Sequence, residues 1–185
     1  MELSRCWGAH LIRLPLISDK PSLPYVRSVL AEVFRWAPAV PLCVPHVLSK
    51  DDTYNDYVFK KGTIFMPNIW GLLHDPETYP DPMTFKPECF NGDDIEMEKA
   101  QLAFGFGRRV CPGRYFADGF MFALMATFLA TCEILPGLNE RGEEVMPRVA
   151  YTPGAITFPE AFPIRFKARS PQATALLAAI SSVME

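Results

Sequence analysis

Phe104-Gly105-Phe106-Gly107-Arg108-Arg109-Val110-Cys111-Pro112-Gly113 sets one cysteine between a glycine- and arginine-rich loop and the start of a long apolar run. Glycines at 105, 107 and 113 let the backbone take positive-φ turns and let a flat ligand approach closely. The phenylalanines shield what binds there. Pro112 is a good first helical residue, which predicts that the Cys111 sulfur sits at a helix N-terminus. Aimed N–H groups and the positive end of the helix dipole favour a thiolate there. A shielded, helix-capped thiolate beside two arginines suits an iron ligand.

Around this stretch the chain is 185 residues long, 49% hydrophobic, with a formal charge of −3. That is enough for one core, or for a piece of something larger. The mild acidity lacks the clustered basic excess of a nucleic-acid reader, so no nucleic-acid partner is expected. The five cysteines form no CxxC pair and are odd in number, which argues against a disulfide framework or a zinc knuckle and makes a reducing compartment the default. Residues 1–16 lack a continuous signal-peptide core or spanning segment, so no membrane anchor is visible.

Upstream, Val26, Val29, Leu30, Val33 and Phe34 recur at helical spacing and predict a helix that stops before Pro38. On it Glu32 and Arg35 stand three apart, neighbours on one face. A surface pair is the plain reading. The proline-rich segment that follows offers a site where both could be buried if further partners were supplied. Residues 41–48 read as extended, with a turn over 49–55. A hairpin is expected from residues 56–59 and 63–66 around the Lys60-Lys61-Gly62 turn. His46 is either a packed histidine or a ligand contact. Residues 68–74 read as a short helical turn, residues 79–90 as a proline- and aromatic-rich meander, and the acidic residues 91–99 as a solvated loop. Residues 113–134 form an apolar helix, too short and too interrupted by Asp118 to span a membrane. Residues 163–168 alternate as a last strand, and residues 170–185 suit a short tail helix. The fold class is mainly α with small β-sheets (α+β).

Phe104, Gly107, Arg109, Cys111 and Gly113 fit the FxxGxRxCxG pattern, and on it the chain resembles the haem loop of the cytochrome P-450 family. Glu32-Val33-Phe34-Arg35 is similar to that family's ExxR pair, and order and spacing agree from about residue 23 to 166. The resemblance implies the C-terminal part of that fold: residues 1–22 as a connector, 23–169 as the haem-binding part of a monooxygenase domain, 170–185 as a tail. It implies haem (iron protoporphyrin IX) as cofactor, with Cys111 as axial ligand and catalytic centre. Arg109 and His46 would meet propionates, Phe104 would shield the sulfur, and Gly107 and Gly113 would permit close approach. Residues 39–44 and 153–158 look like two loops that line the family's substrate pocket. The implied function is a haem-thiolate monooxygenase that puts one oxygen atom of O2 into a hydrophobic small molecule, with electrons from an NADPH-dependent reductase.

Two features depart from the pattern. The meander reads Pro87-Glu88-Cys89-Phe90, where the family has PERF or close to it, so Glu32 is expected to have less compensation and the loop a looser hold. Family members are usually more than twice this length, and residues 1–30 contain no AGxDT-like stretch. A truncated, non-catalytic haem-binding remnant or interaction module is therefore the alternative.

Overall fold

The computed structural model of the chain describes residues 12–90 and 99–181. Most of the acidic 91–99 loop and the ends of the connector and tail lie outside those residues. Residue contacts divide the chain into two compact units, one drawn from Met1–Ala31, Pro112–Tyr151 and Pro159–Glu185, the other from Glu32–Cys111 and Thr152–Phe158. Helices and small antiparallel sheets give the expected α+β class.

Helix α1, Pro24–Trp36, starts on a proline whose missing N–H would have no helical partner at that position. Its first turns place Val26 and Leu30 in the core of the first unit. Full burial of such a side chain contributes about 1.5–3 kcal/mol. The long helix α2 of this unit, Arg114–Thr131, adds the buried Phe122, Ala126 and Ala130. Spacing of four keeps these on one stripe. Gly119, on the same stripe, lets Ile17 come close: a Cβ added there would meet Ile17 at 3.4 Å. An ion pair between Lys20 and Asp118 ties the Ile17–Ser22 turn to the same helix. Among the described residues no helix is long and apolar enough to cross a membrane.

The apolar run does not stay helical to residue 134. It leaves the helix at Thr131 and enters strand β5, Cys132–Leu138, central in a three-stranded antiparallel sheet. Pairing decides this: Ile134 faces Phe166 and Leu135 faces Arg165 on β7, Ile164–Ala168, while β6, Glu144–Val145, covers the other edge. Pro136 and Gly137, which read as punctuation, are inside the strand. Gly137 is required there because a Cβ would fall 2.2 Å from a Pro163 atom. The tail helix α3, Pro171–Ser181, seats Ala173 against Ala130, with Leu176 beside them.

In the second unit α4, Ile69–Leu73, is capped by Asn68, whose side chain accepts from the Gly71 N–H. Its Ile69 and Leu73 are buried, as are Tyr79, Phe90 and Ala100 of the same unit, with the Tyr79 and Phe90 ring centres 6.4 Å apart. The strands differ from the expected hairpin. Strand β1, His46–Val47, pairs with β4, Ile64–Phe65, whereas β3, Tyr57–Phe59, pairs with β2, Asp52–Tyr54. The turn lies at Asn55-Asp56, both at positive φ (46° and 64°). Asn and Asp tolerate that conformation, and such turns match the natural twist of paired strands.

Candidate functional site

As far as Cys111 the cysteine stretch belongs to the second unit and is a chain of tight turns: a 3-10 turn over Gln101–Phe104, then another over Gly107–Arg109. Gly105 and Gly107 take φ of 79° and 64°, the left-handed region in which a Cβ is costly. Gly113 does not: its φ is −83°, and it is the residue before α2. That helix begins at Arg114, so Pro112 precedes it and is not its first residue. The Ala117 N–H to Gly113 carbonyl bond closes the first turn, which leaves Pro112 outside the ladder. Cys111 is held instead by its backbone N–H, which donates to the Phe104 carbonyl at 2.9 Å, so the two ends of the loop are clipped together. Its side chain is exposed.

Around the clip the site residues assemble as follows. The Phe104 ring stands edge-on against Phe34 of α1, centroids 4.9 Å apart. Arg109 is exposed and has no ion-pair partner among the described residues. His46, on β1, lies with Val47, Phe65, Met66 and Phe106 on the wall of a largely apolar cavity of about 550 Å³. Phe106 belongs to the cysteine stretch, so the structure brings His46 to that stretch across 60 residues of sequence.

The arrangement can hold a flat, anionic, metal-bearing group. Among the described residues no three His, Cys, Asp or Glu side chains converge, so a metal at Cys111 would take its other donors from a non-protein ligand. A Cβ built on Gly107 meets nothing within 4 Å, leaving room for close approach. Arg109 offers a planar cation suited to a carboxylate. These features fit haem.

Behind the stretch lies a buried polar knot. Glu32 and Arg35 are 1% and 2% exposed. Arg35 Nε and Nη2 donate to the two Glu32 oxygens at 2.6 and 2.8 Å, and the remaining N–H groups donate to the carbonyls of Leu73, Pro82 and Thr84 at 3.0, 2.9 and 3.2 Å. Glu32 also accepts the Lys86 N–H at 2.6 Å. The Arg35 guanidinium lies 5.1 Å from the Tyr79 ring centre. These bonds pin the meander to α1 although position 89 is a half-buried cysteine. Trp36 adds a bond to the Met83 carbonyl and an edge-on contact with Phe85. Beside the knot His74 is buried, its ring stacked on Trp70 with Nδ1 2.9 Å from the Trp70 carbonyl oxygen. Burial holds its pKa below the ordinary value, aided by the nearby Arg35 charge.

Residues 153–158 are expected to be near the site only by resemblance. They pack in this unit because Thr157 bonds to Ala39 and Pro38. Nothing in the residue types announces that contact, since the acceptors are backbone carbonyls.

The sequence profile of the family described as Cytochrome P450 matches residues 4–156. Cytochrome P450 monooxygenase 105 of Postia placenta is 55% identical over 166 residues, 89% of this chain and 32% of that protein. Cytochrome P450 monooxygenase claR of Ampulloclitocybe clavipes is 40% identical over 168 residues, 89% of this chain and 31% of that protein. The chain thus spans about a third of the length of these curated relatives. Among solved structures, a zebra fish cytochrome P450 determined with abiraterone superposes with a TM-score of 0.72 at 29% identity, over 90% of this chain and 37% of that one. Motif, fold and family profile agree over most of its length, and the chain belongs to the cytochrome P450 family.

Proposed function

We propose that this chain carries the haem-thiolate site of a monooxygenase acting on hydrophobic organic molecules, within residues 23–169. The single observation that supports it most is the clipped loop: an exposed Cys111 preceded by two left-handed glycines, Gly105 and Gly107, with Arg109 free to meet an anion and His46 on the adjoining cavity wall. Cys111 would hold the iron, Arg109 and His46 the propionates, Phe104 the loop's packing on α1. Gly107 and Gly113 would keep side chains out of the way. Haem bound through a thiolate supplies oxygen activation, because the sulfur pushes electron density that favours O–O cleavage. The protein's part is to keep the sulfur positioned and the propionate charges neutralised, and to present apolar walls to the substrate. Electrons would come from an NADPH-dependent reductase.

Reconstitution with haem, reduction and addition of carbon monoxide test the reading. The expected Soret band is that of thiolate ligation, and it is lost in Cys111→Ala. A histidine-type band, or identical spectra from both proteins, refutes the assignment.

The alternative reading is a haem-binding remnant or interaction module without turnover. Sustained NADPH-dependent product formation with a reductase present rules it out.

A further inference from the structure

Phe34 stands on α1 between Glu32 and Arg35 of the buried knot. Each helical residue is turned about 100° from the last, so Phe34 leaves the face that the ion pair shares. Its half-buried ring meets Phe104 edge-on, with centroids 4.9 Å apart and planes at 73°. Phe104 is one end of the clip, since its carbonyl accepts the Cys111 N–H at 2.9 Å. A continuous line of contacts thus runs from α1 through ring on ring and carbonyl on amide to the cysteine.

The clip needs an outside holder. Between its ends lie Gly105 to Val110, and two of those residues are glycines at φ 79° and 64°. Glycine loses more backbone freedom on ordering than any other residue, so closing this loop is costly. Phe106, Arg108 and Arg109 inside it are exposed, whereas Phe104 has a ring partner on a helix. The helix end that carries Phe34 is itself fixed. Arg35 reaches the Leu73, Pro82 and Thr84 carbonyls, Glu32 takes the Lys86 N–H, and Trp36 makes its own edge-on pair with Phe85 at 5.7 Å.

We propose that Phe34 is a positioning residue for Cys111: its ring fixes Phe104, the Phe104 carbonyl fixes the Cys111 backbone, and α1 thereby sets where the sulfur stands. This rests on the haem-thiolate reading above. The role is separate from that of the ion pair, because the bonds of Glu32 and Arg35 outside the pair go to the meander and to Leu73 of α4.

The test follows amide hydrogen exchange in the full chain without haem. The variants are Phe34→Leu, which removes the ring, Phe34→Tyr, which keeps it, Phe104→Leu, the Phe34→Leu/Phe104→Leu double variant, and Phe85→Leu, which breaks the other edge-on pair of the same helix. Loss of an aromatic pair corresponds to roughly a threefold to tenfold effect. Phe34→Leu is expected to speed exchange of the Cys111 amide by about that factor, with the Leu48 and Gly62 amides, bonded elsewhere in the unit, unchanged. Phe34→Tyr and Phe85→Leu are expected to keep the wild-type rate. The double variant is expected to match the single ones, since all three break one contact. If Phe34→Leu loses its far-ultraviolet dichroism, Phe34→Met, which fills the space without a ring, decides in its place. The same proteins are then loaded with haem, reduced and given carbon monoxide. Phe34→Leu is expected to lower the share of the thiolate Soret band roughly threefold, and Phe85→Leu to leave it unchanged. An unchanged Cys111 rate or thiolate share in Phe34→Leu, equal acceleration by Phe85→Leu, or additive effects in the double variant overturns the proposal. A wild type without the thiolate band refutes the haem-thiolate reading, while the exchange rates, measured without haem, decide separately whether Phe34 holds the clip.

Discussion

Arg35 places every one of its N–H donors on an oxygen, and Glu32 takes two of them, one on each carboxylate oxygen, at 2.6 and 2.8 Å. A guanidinium has five such donors in a fixed fork. Here the other three go to carbonyls of Leu73, Pro82 and Thr84, 38 to 49 residues further along the chain. A surface pair three residues apart contributes a few tenths of a kcal/mol. This one is buried, and its function is to hold a loop without regular structure against a helix.

Breaking the pair is expected to cost far more than its surface equivalent. Glu32→Gln leaves the guanidinium buried without a counter-charge, and Arg35→Lys replaces a five-donor fork with three donors on a point charge. Either is expected to lower the unfolding free energy by about 3–5 kcal/mol. Urea unfolding measures it, and a loss below about 1 kcal/mol would show that the pair holds nothing.

Cys89→Arg, which restores the guanidinium of the family's meander, is expected to stabilise the chain by less than about 1 kcal/mol. Glu32 already accepts three N–H groups, from Arg35 twice and from Lys86, out of roughly four available lone-pair sites. The expectation of a loosely held meander is thereby replaced: the Lys86 N–H and three carbonyl acceptors supply much of what a second arginine would. A gain above about 2 kcal/mol in the same assay would mean that Glu32 is under-compensated after all.

His74 gives the chain a pH dependence of definite sign. Its folded pKa is lowered by burial first, with the Arg35 charge adding to the effect, against the opposing Trp70 carbonyl, which outweighs Arg35, and the smaller opposing effects of Glu32 and the Trp36 carbonyl. Above its unfolded pKa, about 6.5, neither state is protonated and the full stability is present. As the pH falls below that value the unfolded chain takes up a proton that the folded chain refuses. Stability then drops, by at most about 1.4 kcal/mol per pH unit, until the folded pKa is reached. His74→Gln is expected to flatten this part of the urea-midpoint profile. A wild-type profile no steeper than that of His74→Gln between pH 7 and the onset of acid unfolding refutes the assignment.

The glycines separate by conformation. Gly105→Ala and Gly107→Ala force a Cβ into left-handed backbone and are expected to cost about 1–2 kcal/mol each. Gly113→Ala, at φ −83°, is expected to change stability by less than about 1 kcal/mol. Gly137→Ala meets Pro163 atoms at 2.2 and 2.7 Å and is expected to be the most damaging of the four. Thermal midpoints rank them.

Taken alone, the sequence determined what residue types can encode. The spacing of Val26, Leu30 and Val33 specified α1, because a 3.6-residue period puts them on one stripe. Residues 68–74 read as the short helical turn that became α4, and alternation specified β7. The spacing of Phe104, Gly107, Arg109 and Cys111 marked the cysteine loop, since side chains or their lack make that turn. Tertiary structure alone decided the partners. Strand pairing moved the hairpin turn to Asn55-Asp56 and drew Cys132–Leu138 out of the helix. Packing chose the carbonyls of Leu73, Pro82, Thr84 and Ala39 as acceptors and brought His46 to Phe106. Every residue carries a carbonyl, so no residue type announces which one a buried arginine or Thr157 will find; only the folded chain, bringing distant segments within hydrogen-bond reach, makes that choice.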